Sequence, residues 1–226
     1  MEEPAIYKTD FSFDTLKDRH RAERDTMPES VNLRIHRALS WLQRAEQETD
    51  DQDARFIFLW VAFNAAYADE LTNTTHDGER SVFEGFFTKL VSLDHAHMIY
   101  TAIWTRFSEE IRLLLGNRYV YAPFWEHHNQ VPGYDDWEAW FERSKKGIAV
   151  ALKQQNTQTI LSTLFDRLYV LRNQLIHGGA TWNSSVNRDQ VTDGAAILSR
   201  LVPIFIELML NHPAAEWGEP CYPVLV

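Results

Sequence analysis

The stretch RFIFLWVAFNAAYADE, residues 55–70, decides the fold class. Phe56, Leu59, Trp60, Phe63 and Tyr67 recur at three- and four-residue steps, which places them on one stripe of a helix. Most of the remaining positions are apolar too, so this segment is expected to be a buried central helix. Asn64 is the one amide in an otherwise apolar run.

The same spacing extends in both directions. Upstream, Val31, Ile35, Ala38, Leu39, Leu42 and Ala45 define an amphipathic helix opening near Pro28. Downstream, Val82, Phe86, Phe87 and Leu90 mark a helix over about 79–93, after a polar loop, TNTTHDGE, at 72–79. Ile99, Ile103, Phe107, Ile111 and Leu114 indicate one continuous helix over about 95–115. Residues 116–136, with Pro123, Pro132 and Gly133, read as an aromatic-rich irregular insertion. Helix resumes near Asp135, carrying Trp137, Trp140, Phe141, Ile148 and Leu152. Asn156 then caps a helix with Ile160, Leu164, Leu168, Leu171 and Leu175 inward, stopping at Gly178-Gly179. A last helix over about 187–211 is expected to kink at Pro203. The proline-broken tail, 212–226, is expected to pack back as an extended segment. With no alternating strand pattern and no internal repeat, the chain reads as all-α, a single domain over 1–226.

Composition narrows the function classes. At 226 residues and 45% hydrophobic, the chain can bury one sizeable core. Its single cysteine, Cys221, gives no disulfide framework and no thiolate zinc site. The acidic start and the lack of any apolar run near 20 residues point to a soluble, cytoplasmic protein with no membrane partner. A net charge of −10 opposes broad non-specific binding to nucleic acid but leaves room for a local basic cleft. The basic run LKDRHRAERD, residues 16–25, has acids interleaved with its cations and reads as a solvated helix face. His95-Ala-His97 and His127-His128 point to different helix faces and make poor metal pairs; no metal or cofactor is called for. Most tryptophans fall on apolar stripes and read as core.

One segment carries chemistry: LRNQLIHGG, residues 171–179. Arg172 and His177 are five residues apart, a weak signal by itself. Asn173 and His177, four apart, share one helix face. His177 lies in the last turn before the glycines, where exposed carbonyls favour a cationic imidazole. A guanidinium, an amide and such an imidazole together can read phosphate. The angle opposes this: five residues put Arg172 and His177 about 140° apart around an ideal helix. They converge only if the arginine stem curls round, the helix end unwinds, or a second chain supplies one partner. A capped helix end with no further role is the competing reading.

RNQLIH at 172–177 fits the Arg-x4-6-His motif, and the chain resembles the HEPN superfamily of all-α domains. FLWVAFNAAY at 58–67 and HGGATWNSSVNRDQ at 177–190 resemble its Apea-like, bacterial branch. The resemblance implies an antiparallel helical bundle with extra helices that dimerises through the motif helix. It implies a metal-independent endoribonuclease, toxin-like or defence-related, with a composite cleft built from both copies. In that setting Arg172, His177 and Asn173 are the catalytic candidates, and Asn64, Asn187 and Arg188 are supporting ones. Asn64 would stand behind the motif as a partner; Arg188 would meet phosphate; Asn187 would do the same or cap the last helix. The expected partners are RNA or a nucleotide, a second copy of the chain, and an antitoxin or regulatory protein. Members of the family that only bind RNA, nucleotide or protein supply the alternative.

Overall fold

A computed structural model describes residues 11–67, 76–220 and 222. Among them are ten α-helices and no β-strand. In chain order they are α1 (Phe13–Glu23), α2 (Glu29–Gln47), α3 (Gln52–Tyr67), α4 (His76–Leu93) and α5 (Met98–Thr101). Then follow α6 (Ser108–Leu115), α7 (Ala122–His128), α8 (Trp137–Lys153), α9 (Thr157–Ile176) and α10 (Arg188–Asn211). The all-α expectation is met.

Helix α3 is central, as its all-round apolar sequence requires. It packs chiefly against α2 and α10, and its far side meets α9. Phe56, Leu59, Trp60 and Phe63 are buried, and Phe63 stacks its ring 4.4 Å from that of Phe165 on α9. Gly194 on α10 lies where Phe56 and Leu168 meet, with a hypothetical Cβ 2.9 Å from the Phe56 ring. Only glycine lets α10 approach so closely. Since Phe63 meets Phe165 while Phe56 meets Leu168, α3 and α9 run antiparallel. The start of α3 and the end of α9 therefore share one end of the bundle.

Several expected boundaries are corrected. Residues 95–115 form no single helix: α5 passes into a π-helix, Ala102–Arg106, before α6. The Phe107 N–H donates to the Ala102 carbonyl, five residues back. The insertion at 116–136 is not wholly irregular, because α7 forms with Pro123 in its first turn. Proline is compatible there, since first-turn N–H groups have no intrahelical acceptor. The loop expected at 72–79 is shorter: the backbone of 76–79 already belongs to α4, and 72–75 lie outside the described residues. Pro203 lies inside α10, which continues across it.

The tail expectation holds where it is described. Trp217 is buried against Phe86, with ring centroids 6.0 Å apart, and its indole N–H donates to the His212 carbonyl. The fully buried Arg34 fastens the tail by donating to the carbonyls of Gly218 and Glu219, and to Ala66 at the end of α3. The rest of the tail, apart from Tyr222, lies outside the described residues. No helix among the described residues is long and apolar enough to cross a membrane.

Candidate functional site

Helix α9 begins at its expected cap, with the Asn156 side chain accepting from the Thr159 N–H at 3.0 Å. It remains regular to Ile176, and the His177 N–H still donates to the Asn173 carbonyl at 3.0 Å. Gly178 then takes φ +71°, a left-handed conformation that ends the helix at low cost only for glycine. The end does not unwind. Of the three routes to convergence within the motif, that one is closed.

The arginine stem takes another. Arg172 is half-buried, and its Nη1 donates to Asn173 Oδ1 at 2.9 Å. Asn173 lies about 100° round the helix from Arg172, and His177 a further 40° in the same sense. The bond therefore ties the guanidinium to the residue that lies between Arg172 and His177 around the helix. Its Nε is buried with no hydrogen-bond partner, and Arg172 has no ion pair among the described residues. A permanently charged guanidinium without a carboxylate partner is fitted to receive an anion. His177 itself is exposed at the helix end. The amide oxygen of Asn173 accepts from Arg172, so Asn173 positions the guanidinium.

The segment after α9 folds back onto the start of α3. Asp51 caps α3 by accepting from the Ala54 N–H at 2.9 Å, and its other oxygen accepts from the Trp182 indole at 2.8 Å. These bonds, the backbone one foremost, hold the Asp51 carboxyl below its ordinary range. Asp53, buried, accepts from the Asn183 N–H at 3.0 Å and from Arg188 Nη2 at 2.7 Å. On the other side, Gln174 donates to the Tyr119 carbonyl at 2.6 Å and accepts from Asn187 Nδ2 at 2.9 Å. The motif turn is therefore held between α3, α10 and the insertion.

Three supporting assignments change. Arg188 is paired with Asp53 and braces the loop, so it is not a free phosphate contact. Asn187 does not cap α10: it sits at φ +67° with no capping bond, and its amide serves Gln174. Asn64 is half-buried on α3, at the wrong end of the antiparallel pair for Arg172. From Phe56 opposite Leu168, the two residues diverge along the bundle by roughly 18 Å at 1.5 Å per residue. Its Oδ1 is buried without a partner among the described residues.

Sequence reasoning missed Asp51, Asp53 and Gln174. The two aspartates carry an N-cap signature before an apolar run, but nothing in the sequence ties them to residues about 130 positions away. Trp182 is 74% exposed beside the motif, as are Ile176 at 46% and Val186 at 69%. Among the described residues, no cluster of three or more His, Cys, Asp or Glu is placed to hold a metal ion. The histidines at 95, 97, 127 and 128 form none. The basic run at 16–25 is largely neutralised, with Arg19 paired to Glu23 and Glu207, and Arg21 to Asp18.

Comparison with protein-family models, with curated proteins and with solved structures finds no match to this chain. The chemistry of the site rests on its own residues.

Proposed function

We propose that the chain is a HEPN-like endoribonuclease that needs no metal and acts at the exposed end of α9. The observation that carries this reading is the Arg172 guanidinium, held by Asn173 Oδ1 on the same helix end as the exposed His177 and without a carboxylate partner among the described residues. RNA supplies its own nucleophile. The 2′-hydroxyl gives up its proton to water as its oxygen attacks the adjacent phosphorus, the bond from phosphorus to the 5′-oxygen breaks, and a 2′,3′-cyclic phosphate and a 5′-hydroxyl result. Arg172 stabilises the negative charge that builds on the phosphorane oxygens. His177 gives its proton to the departing 5′-oxygen. Asn173 keeps the guanidinium on the reacting side.

A second copy of the chain completes the cleft in this reading. Ile176, Trp182 and Val186, on the chain segment that carries His177, are exposed, and exposed apolar side chains suit a surface that another chain covers. A role as a toxin-like or defence enzyme, under an antitoxin or other regulator, belongs to the same proposal.

The test is cleavage of a labelled single-stranded RNA in the presence of EDTA. Arg172→Ala and His177→Ala should each lower the rate by about 100-fold or more, within the range for losing a general acid or an oxyanion donor. Cleavage that persists in both variants would overturn the mechanism. Binding of RNA without cleavage by the wild type would make the chain a binding module instead.

A further inference from the structure

Away from the motif, an open cleft of about 330 Å³ lies between α2, α3, the π-helix and α10. Three arginines line it: Arg55 from the first turns of α3, Arg106 at the end of the π-helix, and Arg200 on α10. Glu46 is the one carboxylate among the described lining residues, and one of its oxygens accepts the Phe13 N–H at 2.9 Å. Arg55 and Arg106 have no ion-pair or side-chain hydrogen-bond partner among the described residues. In a chain of net charge −10, two guanidinium groups, Arg55 and Arg106, without a carboxylate partner among the described residues at one small cleft are a local reversal of sign. Like charges gathered on concave walls repel one another, and the repulsion falls when an anion enters between them.

The π-helix places one of the three. It widens the turn before Phe107, brings Arg106 and the Phe107 ring to the cleft together, and gives up regular α-helical bonding to do so. Such interruptions concentrate where a side chain must be aimed. Phe107 and Leu59 supply an apolar wall beside the cations. The volume falls at the lower end of the range for small-molecule sites, which suits one compact ligand and not a polymer.

We infer that this cleft binds a small phosphate monoester whose organic part is apolar or aromatic. The phosphate takes the guanidinium forks, which match its oxygens in pairs, and the organic part lies on Phe107. Neither Arg172 nor His177 lines the cleft, so the inference stands apart from the nuclease reading.

Titration calorimetry of the full chain at low salt tests it, with phenyl phosphate, pyrophosphate and tricarballylate as probes. Phenyl phosphate should bind most tightly. Arg55→Ala and Arg106→Ala should each weaken it about 10-fold or more, the usual range for losing a hydrogen bond to a charged group. Arg172→Ala should bind as the wild type does. Arg106 is exposed, so that variant should melt like the wild type and its affinity remains interpretable. No binding of phenyl phosphate at millimolar concentration would overturn the inference. So would equal binding by both cleft variants, or tighter binding of tricarballylate.

Discussion

At the scale of single residues, the site depends as much on what holds the turn as on the groups that would meet RNA. One Asp53 oxygen gathers both the Asn183 N–H and the Arg188 guanidinium. The pair is largely shielded, so its members are not screened as a surface ion pair would be. Asp53→Ala leaves Arg188 without its counter-charge and the Asn183 N–H without an acceptor. It should destabilise the chain by about 2 kcal/mol in urea unfolding, a value between surface and fully buried pairs. RNA cleavage should fall with it, although Asp53 touches no substrate in this account. A variant with wild-type stability and wild-type cleavage would show that the clamp is idle.

At the scale of elements, α10 meets α3 and α9 at Gly194. Adding a methyl group there drives it to 2.9 Å from the Phe56 ring and 3.1 Å from Leu168. Alanine is better than glycine inside a helix by up to about 1 kcal/mol, but overpacking a buried site costs about 1–3 kcal/mol. Phe56 is fully buried, so its ring has little room to yield. Gly194→Ala should therefore lower stability by about 1 kcal/mol net in urea unfolding, and a stabilised variant would contradict the packing described. Most elements were legible in the sequence because three- and four-residue spacing and the Asn156 and Gly178 signals act locally. The π-helix was misread, although a trace of it was present. Ile99, Ile103, Phe107 and Ile111 are spaced by four throughout, which drifts about 40° per step on an α-helix. A wider turn takes up that drift. Helix α7 was hidden by reading Pro123 as a breaker when it stands in a first turn. For the site, the end of α9 and its polar face were legible. The clamp on Asp51 and Asp53 was not, since it depends on which helices become neighbours.

At the scale of the whole molecule, two histidines between α1 and α2, His20 buried and His36 exposed, tie stability to pH. Desolvation foremost pushes both His20 and His36 below histidine's ordinary value. His20 is buried with Nε2 against Asn32 Oδ1 at 2.7 Å, and its Nδ1 has no partner. Lys17 on α1, Arg24 after it, and His36 and Arg37 on α2 are the charged or titratable groups acting on this pair. Below an ordinary value of about 6.5 the unfolded chain binds protons that the folded chain does not. The stabilisation is complete above that value and is lost as pH falls through the folded values. The melting temperature should therefore drop between pH 7.5 and pH 5.5, and His20→Gln should flatten the drop. Asp51, whose folded value is lowered, loses its contribution only at more acid pH and does not add to this window. An unchanged slope in His20→Gln would remove His20 from the account.

What the end of α9 does to RNA is read most directly from the products. RNA treated with the protein in EDTA should yield fragments ending in a 2′,3′-cyclic phosphate (or its hydrolysed form) and beginning with a 5′-hydroxyl. Those fragments should disappear with His177→Ala. Fragments bearing 5′-phosphates, cleavage that stops on adding EDTA, or the same fragments from His177→Ala would contradict the proposed mechanism.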